Sequence, residues 1–505
     1  MDPTTATQRL LERMREVDRL NTIAGVLGWD QETGMPAANA PYRGEQLSLL
    51  SGLSHERFTD PLVGELLEEA SRHPEAQRED SDLSVNLREW RRDFDRARRL
   101  PKDLVEEMSR VTSEAQVAWV EARSQKDFAL FQPHLERVVA LSRRQADHLG
   151  WAEHPYDALL EEYEPGLTTA DLERLFPPLL ERLSALVKAI QGSARQPDKT
   201  ILRRRVSVRD QQALGRRLAE ALGFDFSRGR LDVSAHPFTT GLGPDDTRIT
   251  TRYDETDFSN ALFSVLHETG HGLYDQGLPG GDATGTPRGS AVSLGIHESQ
   301  SRLWENLVGR SHGFWRYFYP IFREGARDAF QDVPLDDFFH AINQSGPSLI
   351  RTEADEVTYN LHIGLRVDLE KSLIKGDLRV ADIPEAWGAA TNRYLGLRVP
   401  DDSLGCLQDV HWSHGSFGYF PTYTLGNLYA AQFFEAAHRE LGDLETAFAQ
   451  GDFRGLLGYL REKIHHQGKR HRAHELCRQV TGAPLSPEPY LDHLRKKFTA
   501  LYDLS

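Results

Sequence analysis

The chain has 505 residues, and its 76 Asp and Glu outnumber 60 Lys and Arg to leave a formal net charge of −16. Phosphate binding wants a basic face, so this balance argues against a nucleic-acid partner, and no uninterrupted apolar run approaches the roughly 18 residues of a membrane span. Only 2 cysteines occur, Cys406 and Cys477, which excludes a disulfide framework and favours a reducing, cytoplasmic compartment.

Residues 1–30 are charged throughout, with Leu10, Met14, Val17, Leu20 and Leu27 at helical spacing, so they read as a helix and not as a signal or transit peptide. From residue 7 to about 191 the chain is charged and rich in Leu and Ala, as in Leu179, Leu180, Leu183, Leu186, Val187 and Ile190. This half is expected to be almost wholly helical. Breaks fall at 34–36, 164–166 and 192–197. The last is the candidate boundary between an N-terminal helical part (1–191) and a second part (198–505) of one catalytic domain. No repeat of fixed period is evident. The run Arg203-Arg204-Arg205 has acidic neighbours and reads as a solvated element end.

Between 236 and 253 the character changes. Gly241, Gly243 and Pro244 suggest a loop, and the β-branched alternation from Arg248 to Tyr253 predicts a short strand. Such a strand could line a cleft and bond an extended peptide along its edge. From Phe258 onward helical periodicity returns through Leu262, Val265, Leu266 and Leu273, after the polar starts Asp254, Asp257 and Ser259. Glycine-rich loops interrupt it near 277–290 and 413–418. Gly270 and Gly272 inside the helix cost about 1 kcal/mol each relative to Ala, which calls for close packing or room for a ligand. The histidines 465, 466, 471 and 474 lie among Lys469, Arg470 and Arg472, surroundings that disfavour a cation, and they read as an exposed helix.

The central helix carries His267-Glu268-Thr269-Gly270-His271. Positions four apart share a helix face, so two imidazoles can grip one cation with Glu268 beside them. Zinc held by two histidines and a third protein ligand keeps a position for water, lowers that water's pKa to about 7 and makes it a nucleophile, with a nearby carboxylate to take the proton. Downstream, His297-Glu298-Ser299-Gln300 opens another helical run. Glu298 is the candidate third ligand, with His297 competing for the place and a plain ion pair of Glu298 with Arg302 as the structural alternative. Metal-bound histidines donate their other ring N–H to a carboxylate, so Asp409, with His411 beside it, and Asp275, one turn beyond His271, are candidate outer partners of the metal histidines. Imidazole and carboxylate suit zinc, and Co2+ or another divalent transition ion fits the same set.

The motifs extend beyond the zinc pattern. Asp246-Thr247-Arg248-Ile249-Thr250, His297-Glu298-Ser299-Gln300, Ile350-Arg351-Thr352-Glu353-Ala354-Asp355 and Gly405-Cys406-Leu407-Gln408-Asp409-Val410-His411-Trp412 stand in this order, and with the zinc motif the chain resembles the carboxypeptidase Taq family of thermostable metallocarboxypeptidases. The resemblance spans almost the whole chain. It implies a mainly α fold, a large helical body split by a deep groove, a small β element beside the zinc helix, and a homodimer. It also implies removal of C-terminal residues one at a time from peptides with a free C-terminus. Wider relatives are helical oligopeptidases of the neurolysin and angiotensin-converting type, and their His-x-x-x-Gly-Tyr-x-x-x-Tyr pattern resembles the stretch from His414 to Tyr423. By that similarity Tyr423 and His414 are donors to the transition state and Tyr419 a third. Phenol or imidazolium donors suit an oxyanion, each being commonly worth about 3 kcal/mol. Recognition of a free α-carboxylate wants the planar fork of arginine, and Arg351, then Arg248, are the candidates. Their structural alternatives are pairs with Glu353 or Asp355 and with Asp245 or Asp246. The residues also accommodate an endo-acting oligopeptidase on the same scaffold, and a catalytically silent peptide- or metal-binding module, in which Glu268 would have no use.

Overall fold

In the stretch Thr169–Gly192, Thr168 and Asp171 close a reciprocal capping box, and Leu172, Leu175, Leu179, Leu183, Val187 and Ile190 turn one face inward. The same pattern, repeated along the chain, produces a mainly α fold in a computed structural model that describes residues 1–504. None of the described helices is long and apolar enough to cross a membrane. The basic run at 203–205 ends a short 3-10 turn, with Arg204 and Arg205 held by Asp332 and Glu255 at 2.9 Å each.

Two hydrophobic cores form. The smaller one gathers Ala6, Leu10, Met14, Val63, Leu66, Leu67, Leu87, Trp90 and Phe94 from the helices Pro3–Thr33, Pro61–Ala70 and Asp82–Arg99. The larger extends from Leu104 to Tyr502, and it includes Ile190 and Ile201 on either side of the 192–197 stretch. The N-terminal helices meet the rest through polar contacts. Arg88 donates to the carbonyls of Lys469 and Arg470 at 2.6 and 3.1 Å, and Trp29 packs under the guanidiniums of Arg230 and Arg248 at 4.9 and 4.3 Å.

The β element is a three-stranded sheet: β1 (Gly229–Val233), β2 (Thr239–Gly241) and β3 (Thr247–Thr251), in the order β1-β3-β2. β1 runs parallel to β3 with Gly229 opposite Thr247, and β2 runs antiparallel with Thr239 opposite Ile249. The expected strand is therefore present as β3, but it is central, with a neighbour on each side. It has no free edge for a peptide, and Gly241, expected in a loop, closes β2. The histidine cluster also departs from expectation. Residues His465–Arg470 form a kinked turn with Gly468 at φ 50, and His465 is buried, its Nε2 standing 2.9 Å from Oε1 of Gln300. His465 is thus not part of an exposed helix, although its neighbours Lys469, Arg470 and Arg472 are basic.

Candidate metal centre and active site

Asp257 caps the central helix Phe258–Gly277 by accepting from the amide of Asn260, and the apolar face through Phe258, Leu262, Val265, Leu266 and Leu273 buries it in the larger core. His267 and His271 then stand on adjacent turns with ring centroids 4.9 Å apart. The helix Leu294–Arg302 lays Glu298 across them, its Oε2 lying 3.6 Å from Nε2 of His267 and 3.4 Å from Nε2 of His271. One donor atom from each residue lies within 4.8 Å of the others. Ligand atoms each about 2.0–2.1 Å from a tetrahedral ion stand about 3.3–3.4 Å apart, so this donor set fits a divalent transition ion. The closeness depends on missing side chains. A Cβ on Gly270 would lie 2.6 Å from the carbonyl oxygen of Gln300, and one on Gly426 would lie 2.7 Å from Cβ of Glu298. Gly272 likewise admits the ring of Phe224. Close packing is thus the reason for the helix glycines.

Each histidine is oriented from behind. Nδ1 of His267 donates to Oε2 of Glu305 at 2.9 Å, and Arg302 ties the two carboxylates together, its Nε donating to Oε1 of Glu298 at 2.6 Å and its Nη1 to Glu305 at 3.1 Å. Glu305 sits in a π-helical stretch, Leu303–Val308, a form concentrated at functional sites. With Nε2 of His271 left unprotonated as a ligand atom, its Nδ1–H donates to Nδ1 of His297 at 2.5 Å, and Nε2–H of His297 donates to Asp275 at 3.0 Å. His297 is thus turned to Asp275 and not to the metal position, and Asp275 acts through it. Asp409 was a candidate for the same duty, and the structure assigns it elsewhere: Oδ1 accepts from Nε and Nη2 of Arg351 at 3.0 and 2.8 Å, and Oδ2 accepts from Nε of Arg366 at 2.7 Å. His411 also lies among other partners, its ring 4.5 Å from that of Phe420.

Burial works against charge throughout this site, and neighbours decide the outcome. It would push Glu298 up, but Arg302 and the two imidazoles hold that carboxylate well below its usual range. Burial carries His271 down to about 4, leaving a neutral imidazole at neutral pH. Burial also raises Glu268, opposed by His267 and by the hydroxyl of Thr239.

A family model described as carboxypeptidase Taq (M32) metallopeptidase matches residues 9–498. This chain belongs to that family. Among the relatives of this metal-dependent carboxypeptidase, the thermostable carboxypeptidase 1 of Thermus thermophilus is 48% identical over 99% of this chain and 100% of its own length. Carboxypeptidase 1 of Bacillus subtilis is 36% identical over 99% of this chain and 100% of its own. A crystal structure of the M32 carboxypeptidase from Deinococcus radiodurans superposes with a TM-score of 0.95 at 41% identity, covering 99% of this chain and 100% of that one.

In this carboxypeptidase Tyr423 lies in the first turn of the helix Pro421–Leu441, whose Gly426 packs against Glu298, and Tyr419 lies just before that helix. Tyr419 and Tyr423 stand 5.4 Å apart, and burial raises both phenols, which keeps them protonated. The ring of His411 lies 5.3 Å from Tyr419 and 6.4 Å from Tyr423, whereas His414 is exposed. Arg351 is buried with Asp409 as its partner, and not with the Glu353 or Asp355 of its structural alternative. Its Nη1 donates to the hydroxyl of Tyr359 at 3.0 Å, and its Cζ lies 5.1 Å from the ring centre of Tyr423. Arg248 makes a two-bond pair with Asp246 at 2.9 and 2.7 Å while its face covers Trp29. Sequence reasoning missed Glu305, Arg366, Tyr359 and Thr239 as members of this region. Glu305 was within reach, since positions 298, 302 and 305 recur at helical spacing. Thr239 had no signal, because three residues are too few for an alternation.

Proposed function

We propose that this carboxypeptidase releases C-terminal residues one at a time from peptides with a free C-terminus, with Glu268 as general base. The observation that carries the reading is the convergence of Nε2 of His267, Nε2 of His271 and Oε2 of Glu298, with Glu268 between the two histidines on the same helix. Those three residues would hold zinc or a similar ion such as Co2+. When bound, such an ion supplies Lewis acidity and lowers the pKa of water to about 7. Glu268 takes the proton of the attacking water and passes it to the leaving amine. The hydroxyls of Tyr423 and Tyr419 donate to the oxygen on which negative charge develops. His411, against both tyrosines, is better placed than the exposed His414 to take part with them. Arg351, aimed by Asp409 and lying beside Tyr423, anchors the substrate's terminal carboxylate, with Arg248 as a second contact.

The test is a mass-spectrometric time course on one unstructured peptide, as free acid and as amide, with metal-loaded and chelated enzyme. The expected result is a ladder shortened one residue at a time, absent for the amide and after chelation. Internal fragments from both peptides would make it an oligopeptidase. Glu268→Gln is expected to retain metal and lose turnover, and full activity in that variant would sink the mechanism. The resemblance and the cysteine usage extend the reading to a cytoplasmic homodimer, which fractionation and light scattering would check.

A further inference from the structure

The carboxylate of Glu268 is buried, and among the described residues its one side-chain hydrogen-bond partner is Thr239, whose hydroxyl stands 2.6 Å from Oε2 and 3.1 Å from the backbone carbonyl of Glu268. Thr239 belongs to β2, three residues long, and that strand is held by more than its ladder. The buried hydroxyl of Thr250 on β3 accepts from the amide of Phe238 at 2.9 Å and from the hydroxyl of Ser234 at 2.7 Å, and donates to the carbonyl of Phe238 at 3.2 Å. A chain of contacts therefore runs from Thr250 through Phe238 to Thr239 and on to Glu268. Thr250 closes the Asp-x-Arg-x-Thr stretch, whose Arg248 pairs with Asp246 and covers Trp29. The hydroxyl of Thr250 thereby has a use of its own, in fixing the strand that reaches the base.

We propose that Thr239 is a positioning residue for catalysis: aimed by β2, its hydroxyl pins Oε2 of Glu268 and leaves Oε1 as the oxygen that receives the proton of the attacking water. The inference rests on Glu268 acting as the base. A carboxylate on a three-bond side chain that is not held can turn its oxygens away from the reacting atom, and small misplacements of a reacting group are costly in rate. The hydroxyl of Thr239 bonds to Glu268 and to no metal-ligand side chain among the described residues, so its removal is expected to lower kcat and to leave KM and metal content in place.

The experiment compares Thr239→Val, which keeps the shape and removes the hydroxyl, Thr239→Ala, and Thr239→Ser, which keeps the hydroxyl, all as metal-loaded full chains on a free-acid peptide. The expected result is a fall in kcat of about 10- to 100-fold for Val and Ala, the range seen for groups that orient reacting or ligating side chains. KM and bound metal stay unchanged, and Ser stays within about twofold of the parent protein. In a Glu268→Gln background, Thr239→Val is expected to cost nothing further, because the two residues act as one unit. Full kcat in the Val variant, or in the Ala variant should Val not fold, would overturn the proposal. So would equal losses in Ser and Val, or an additive loss on top of Glu268→Gln. Full activity in Glu268→Gln by itself would instead remove the base assignment on which the proposal stands.

Discussion

Arg302 stands between two buried carboxylates, and its removal separates structural from metal-dependent stability at the scale of a single residue. Its guanidinium donates to Oε1 of Glu298 and to Oε2 of Glu305, and it lies 4.3 Å above the ring of Tyr359. Without it two negative charges would share a water-poor site, and breaking a buried pair of this kind costs about 3–5 kcal/mol. A bound cation beside Glu298 offsets part of that cost. Arg302→Met is therefore expected to lower the melting temperature of the metal-free protein more than that of the metal-loaded protein, read by calorimetry on both forms. Equal drops would show that Arg302 serves the fold alone. The same residues mark the limit of what a sequence reveals. Glu298, Arg302 and Glu305 share a helical repeat, so their meeting is a local fact. Asp409, by contrast, is claimed by Arg351 and Arg366, 58 and 43 positions away, and a carboxylate beside a histidine carries no sign of such distant partners.

Elements act here through the distance between two helices. The central helix Phe258–Gly277 and the helix Leu294–Arg302 bring together two histidines and a carboxylate only because Gly270 lets the backbones touch. An added methyl group would sit 2.6 Å from both the carbonyl oxygen of Gln300 and Cα of Ser301, and neither backbone atom can swing aside. Gly270→Ala is expected to destabilise the protein by about 1–3 kcal/mol and to weaken metal binding, because the helices part where their ligands converge. Gly280→Ala, where the new methyl meets nothing within 4 Å, is the matching control and should change neither property. Thermal unfolding measures the first effect and chelator competition the second. Helices of this length announce themselves by periodicity, and β3 does so by its run of β-branched residues. β1 and β2 do not. β1 has five residues, its Arg230 and Asp232 paired on one face, and β2 has only three, so both depend on pairing with β3 for their existence. That the ring of His411 packs against Tyr419 and Tyr423 was likewise beyond pattern, since it depends on how the turn before the helix Pro421–Leu441 folds.

At the scale of the whole molecule, the last helix, Glu488–Tyr502, closes the larger core, and one carboxylate ties it down. Glu356 receives Nζ of Lys497 at 2.6 Å, has Nε2 of His493 at 2.9 Å, and offers its backbone carbonyl to the hydroxyl of Tyr490 at 2.6 Å. Burial would raise its pKa, but Lys497 and His493 outweigh burial and bring it from the ordinary 4.5 to about 2. A carboxyl whose folded value is depressed stabilises the fold above its unfolded value and loses that contribution as pH falls through the folded one. The window therefore lies between about pH 4.5 and about pH 2, and the amount, at about 1.4 kcal/mol per pH unit, is about 3 kcal/mol. Other buried carboxylates, Glu298 and Asp409 among them, titrate in acid as well, so a single acid-unfolding curve cannot isolate this group. The difference between the parent protein and Glu356→Gln can. That difference in unfolding free energy, from urea titrations at a series of pH values, is expected to be largest near neutrality and to shrink steadily below pH 4.5, because protonation turns the parent's carboxylate into a neutral group like the amide. A difference that stays constant across the window would mean that Glu356 holds the last helix by hydrogen-bond geometry alone, with its charge contributing nothing.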